Sequence, residues 1–127
     1  MKHEDKLLQQ CLDNLQTLPN IKVDYKPLLP TQINTDKNGI IQIHSPLKSI
    51  KYSYTIQPDI TAKTADLVIA YFQLHKQKQN EELVLITNYL SEPVIEKLIK
   101  NQIEFIDAAV NVYLNNPAVY ILIRGQR

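Results

Sequence analysis

The run Leu83-Val84-Leu85-Ile86-Thr87, then Val94, Ile95, Leu98 and Ile99 at helical spacing, then Ile103-Glu104-Phe105-Ile106, decides the fold. Its order is strand, crossover helix, parallel strand. An apolar run without polar alternation must be covered on both faces, so Leu83 to Ile86 is expected mid-sheet with helices above and below. Ser91 is placed to cap the crossover helix, Pro93 suits its first turn, and Glu96 with Lys100 forms an i, i+4 pair on its outer face.

Upstream, Thr61 is placed to cap a helix whose apolar positions Leu67, Val68, Tyr71, Phe72 and Leu74 run as far as His75. His75, Lys76 and Lys78 complement the negative end of its dipole. Before it, Ile50, Tyr52, Tyr54 and Ile56 alternate with Lys51, Ser53, Thr55 and Gln57 until Pro58, the clearest strand pattern in the chain. Ile40 to His44, and Ile21, Val23 and Tyr25 alternating with Lys22, Asp24 and Lys26, add two strands. The three read as an antiparallel meander, dry on one face and wet on the other, with Tyr52 and Tyr54 pointing inward. Leu7, Leu8, Cys11, Leu12 and Leu15 form one stripe of a helix from His3 to Leu18. Downstream, Ile103 to Leu114 reads as one long extended segment interrupted at Asp107-Ala108-Ala109, and Asn115-Asn116-Pro117 turns it into Ala118 to Ile123. The summed order is α, β, β, β, α, β, α, β, β: an α/β fold with a mixed sheet.

A chain of 127 residues suits one domain. With 14 Lys plus Arg against 13 Asp plus Glu, no global field attracts nucleic acid or anionic lipid, so any such binding has to come from one face. Cys11 is the only cysteine, and Gly39 and Gly125 are the only glycines. That excludes an intramolecular disulfide, a cysteine-rich zinc site and a glycine-rich phosphate cradle. No apolar run has the length of a signal peptide core or approaches the roughly 18 residues of a membrane span, so the expectation is a soluble, cytoplasmic protein without membrane contact.

The order helix, three-strand meander, helix, strand resembles the common core of restriction-endonuclease-like folds. More specific are Leu85-Ile86-Thr87-Asn88-Tyr89-Leu90-Ser91-Glu92-Pro93, then Ile103 to Leu114 with Asp107-Ala108-Ala109-Val110-Asn111 inside it, then Pro117 and Tyr120 to Gly125. These are similar to the N-terminal domain of AbiEi-type antitoxins and transcriptional regulators of type IV toxin-antitoxin systems. In that family a Tyr-Ile-Ser-Pro-like helix start precedes an Asp-Thr-Ala-Gly-Asn-like strand and a hairpin ending in Gly. The likeness covers residues 61 to 127 well and the first half in element order only. Asp107, Asn111, Tyr113 and Gly125 are its motif residues here.

Two departures stand out. Val110 occupies the place of the motif's Gly, so a positive backbone dihedral or a close approach needed there is impaired. Family members also continue into a winged helix, which for this chain would lie beyond residue 127. The resemblance implies a regulatory role, with DNA bound through an attached domain and a homodimer as a further partnership.

A working nuclease of this fold needs an Asp by the second strand and an acidic residue two before a Lys on the third, because the carboxylates hold Mg²⁺ and the Lys orients water. Gly39-Ile40-Ile41-Gln42-Ile43-His44 and Lys51-Tyr52-Ser53-Tyr54-Thr55-Ile56-Gln57 supply neither carboxylate. The expectation is therefore a non-enzymatic domain without catalytic residues, metal or cofactor. The alternative is an active nuclease in which Asp36, Asp59 or Asp107 converge. His3, His44 and His75 share no metal-ligand spacing.

Asp107 with Asn111 could anchor a ligand or a partner's backbone, or satisfy local N–H groups at a bulge. Lys22, Lys26, His44, Lys51, Ser53, Thr55 and Gln57, against Asp24 alone, form a mildly basic face for nucleic acid or a partner, or a plainly solvated one. A third reading is a protein-interaction module that pairs through its terminal hairpin.

Overall fold

The computed structural model describes residues 3–27, 39–46, 48–79, 82–116 and 120–124. In chain order the elements are α1 (His3–Leu15), β1 (Lys22–Pro27), β2 (Gly39–His44), β3 (Ser49–Ile56), α2 (Ala62–Gln79), β4 (Leu83–Thr87), α3 (Glu92–Lys100), β5 (Phe105–Asp107), β6 (Val112–Asn115) and β7 (Tyr120–Ile123). The strands form one mixed sheet in sequential order, β1-β2-β3-β4-β5-β6-β7. The β1-β2-β3 meander is antiparallel, β3-β4 and β4-β5 are parallel, and β5-β6-β7 is again antiparallel. Each parallel step is bridged by a helix, α2 and then α3, since a parallel neighbour cannot be reached by a tight turn.

Every residue of β4 is buried because helices cover both its faces. Leu8, Cys11, Leu12 and Leu15 of α1 join a core with Ile41, Ile43, Tyr52, Tyr54, Val84, Ile86, Ile106, Val112 and Leu114. On the opposite face, Ala65, Ile69 and Phe72 of α2 and Val94, Ile95 and Leu98 of α3 join Leu83, Leu85, Phe105 and Tyr113. At about 2 kcal/mol for each large side chain removed from water, these two cores dominate the stabilisation. Asp66 of α2 and Lys97 of α3 meet at 2.6 Å on the outside of the second layer.

Residues Ile103 to Leu114 do not form one long strand. They form β5 and β6, reversed over Asp107 to Asn111, which adds a strand to the expected order. The reversal needs a left-handed residue, and Val110 supplies it with φ 64°. The helices differ from expectation too. α1 ends at Leu15, and the chain reaches β1 through Asn20 at φ 65°. α2 continues to Gln79. Ala65, Ile69 and Phe72, at i, i+4 and i+7, set its inner face, which leaves the expected core positions Leu67 and Leu74 in solvent at 69% and 51% exposure.

Thr61 caps α2 reciprocally with Thr64: the Thr64 N–H donates to Thr61 Oγ1 at 3.2 Å and the Thr61 N–H to Thr64 Oγ1 at 2.8 Å. Ser91 sits at the N-cap of α3 with extended backbone but makes no side-chain capping bond. Gly39 is required by a close approach, since a Cβ there would lie 2.5 Å from the Lys26 carbonyl oxygen. Among the described residues no helix is long and apolar enough to cross a membrane.

Candidate functional site

Among the described residues, no helix packs over β1 and β2 on the sheet face shared with α2 and α3. The antiparallel register places Lys22 opposite His44, Asp24 opposite Gln42, and Gln42 opposite Lys51 on it. His44 reaches across this surface to the strands on either side. Its Nε2 lies 3.0 Å from Asp24 Oδ2 and its Nδ1 2.7 Å from Ser49 Oγ. Lys22, Lys26 and Lys51 are exposed and carry the positive charge of the face. Three lysines fall short of the roughly 6–10 phosphate contacts that make salt-sensitive duplex binding tight.

Ser53 and Thr55 lie on the same face but are not part of a wet patch. They are 8% and 3% exposed. Gln57, just past the strand, is exposed. Thr55 and Gln57 line one side of an open cleft of about 320 Å³ whose other side is Leu67, Val68, Tyr71 and Phe72 of α2. Thr64 of α2 lines the cleft as well, so its helical wall mixes apolar surface with the hydroxyl-bearing Thr64 and Tyr71, and its sheet wall carries a hydroxyl and an amide.

Asp107 and Asn111 come together at the carboxyl ends of β4 and β5. Asp107 Oδ1 accepts the N–H of Ala109 at 2.9 Å and of Asn111 at 2.8 Å, and Oδ2 accepts Nδ2–H of Asn111 at 2.9 Å. Burial pushes the Asp107 carboxyl above the usual range, and the bonds from Asn111, Ala109 and Leu90 pull it back. The turn is bound into the fold by the Ala108 N–H, which donates to the carbonyls of Thr87 and Asn88, and by Gln10 and Asn14 of α1, which donate to the Ala108 carbonyl. With no exposed surface and both oxygens engaged, Asp107 holds a tight turn rather than a bulge. Asn111 Oδ1 is buried with no hydrogen-bond partner among the described residues. Tyr113 packs on Phe105 with ring centroids 6.2 Å apart and accepts Nδ2–H of Asn115 at 3.3 Å. Gly125 and Asp36 lie outside the described residues.

At the other end of the sheet is a cluster that the sequence reading missed. Glu104 Oε1 accepts Tyr52 O–H at 2.5 Å, the Asn115 N–H at 3.0 Å and Asn116 Nδ2–H at 3.3 Å, and Asn116 Nδ2 also donates to the Tyr52 oxygen. Glu104 is 3% exposed, and burial raises its pKa against the pull of Tyr52 and Asn115. The signal was a carboxylate inside the apolar run Ile103-Glu104-Phe105-Ile106, flanking a strand that is buried on both faces.

The two buried carboxylates thus sit at opposite ends of β5, where protein donors engage both oxygens of Asp107 and Oε1 of Glu104. Among the described residues, no group of three His, Cys, Asp or Glu is placed to hold a metal ion. Compared with known proteins, the chain matches no family model, no curated protein and no solved structure.

Proposed function

We propose that the chain is a non-enzymatic regulatory domain of the kind found in AbiEi-type antitoxins and regulators: a cytoplasmic, restriction-endonuclease-like scaffold that acts by holding a partner or by supporting DNA binding through an attached domain. The observation that carries this reading is the backbone at Val110. The motif has glycine at this place between its Asp and its Asn, and the left-handed φ of 64° is a conformation for which glycine is the natural residue. Asp107 and Asn111, the flanking motif residues, are hydrogen-bonded to each other, so the motif reads as a turn-forming unit.

The non-catalytic half of the reading is supported by β3. Ser53 and Thr55 stand two residues apart on one face of that strand and offer only hydroxyls, whereas a hard divalent cation requires charged oxygens. Incubation of the purified protein with supercoiled plasmid and Mg²⁺ or Mn²⁺ tests it. The plasmid is expected to remain intact, and nicking that a chelator abolishes would refute the proposal.

A further inference from the structure

The sheet ends in two edges of unlike character. On β1, Lys22, Asp24 and Lys26 are exposed, Pro27 closes the strand without an N–H, and the Tyr25 hydroxyl donates to Gln9 of α1 at 3.2 Å. Charges and proline are the ordinary guards against edge pairing. β7 reads Tyr120-Ile121-Leu122-Ile123, carries no charge, and among the described residues has β6 as its one neighbour. Tyr120 and Leu122 are 63% and 44% exposed. The next charge, Arg124, is drawn onto α3 by Glu92 at 2.6 Å and Glu96 at 3.6 Å, and so does not guard the edge.

We infer that β7 pairs antiparallel with β7 of a second copy of this chain about a twofold axis through Ile121. An edge strand presents backbone donors and acceptors, so its complement is another extended strand. Pairing β7 with β7 is isologous and closes after two copies, which leaves the guarded β1 edges outward. Pairing β7 with β1 is open-ended and sets an apolar strand against a charged one.

The register follows from the pleat. Directly opposed residues share a sheet face, and the twofold axis makes the pairing reciprocal, so the axis must pass through a residue rather than between two. With Ile121 on the axis, Tyr120 lies opposite the partner's Leu122 and Leu122 opposite the partner's Tyr120, so the exposed pair covers itself. With Leu122 on the axis, Tyr120 would instead face the partner's Arg124, which its glutamates hold toward α3. The inference stands on the edge strand and is independent of the regulatory reading.

Sedimentation velocity over a wide concentration range tests it, with circular dichroism confirming that each variant is folded. The expected result is a dimer of the 14.7 kDa chain. Leu122→Lys should weaken it about a hundredfold, since an isologous contact registers each substitution twice. Asp24→Lys on the opposite edge should leave it unchanged. Ile121→Cys provides a readout that adds no charge: mild oxidation should link two copies quickly, because Cys11 is fully buried and does not compete. A monomer at every concentration would overturn the inference. So would a dimer that survives Leu122→Lys but is dispersed by Leu67→Lys on the exposed face of α2.

Discussion

Asp107 holds Asn111 at two points, with one carboxylate oxygen 2.8 Å from its backbone nitrogen and the other 2.9 Å from its amide nitrogen. Because both oxygens are fully buried, the bonds stabilise the turn and cannot be replaced by water. Asp107→Ala strands the donors of Ala109 and Asn111 and should cost about 3 kcal/mol, whereas Asn111→Ala keeps the backbone bonds and should cost about 1 kcal/mol. Urea denaturation of the three proteins checks the order.

Val110 carries a β-branched side chain at φ 64°, where L-residues other than glycine, asparagine and aspartate seldom sit. Val110→Gly should therefore raise stability, by about 1 kcal/mol after the added chain entropy of glycine is subtracted. Val110→Ala, which trims the side chain but leaves a Cβ, should give no comparable gain. Thermal melts of the pair separate relief of the backbone from loss of the side chain.

These two residues also show where the sequence was legible and where it was not. Leu83 to Thr87, the meander and the crossover helix were readable because burial on two faces, period-two alternation and helical spacing are local patterns. The turn between β5 and β6 was hidden because its left-handed position holds Val110 instead of glycine, between two runs that each read as strand. The burial of Ser53 and Thr55 was not legible because it depends on how distant elements assemble around β3, which alternation along the strand does not encode. The pairing of Glu104 with Tyr52 spans 52 residues of sequence and has no local signature beyond a charge in an apolar run.

Glu104 makes stability depend on pH. Its folded pKa is raised above the ordinary value of 4.5, so the folded state prefers the neutral carboxyl. That contribution is fully present below pH 4.5 and is lost as pH rises through the folded pKa. Glu104→Gln keeps an acceptor for Tyr52 and Asn115 without a charge. It should flatten the acid side of the stability profile and be at least as stable as the parent at neutral pH, measured by denaturation across a pH series.

Cys11 is fully buried in the α1 core, and its thiol is pushed up to about 12, by burial first and by Asp107 second. A thiolate is the reactive form, so a disulfide-exchange reagent should label Cys11 only at the rate at which the chain opens. Labelling that is fast in native buffer and insensitive to low denaturant would show that α1 does not seal this core.

The absence of charged oxygens from the α2 face of β3 is tested most directly by titrating Mn²⁺ into the pure protein and following the electron paramagnetic signal of the free ion. If Ser53 and Thr55 leave that position without a metal site, the signal should rise in proportion to added metal, as it does in buffer. Stoichiometric uptake of Mn²⁺ that disappears in Asp59→Asn or Asp107→Asn would mean that these carboxylates do converge on an ion, and the chain would then be a nuclease candidate.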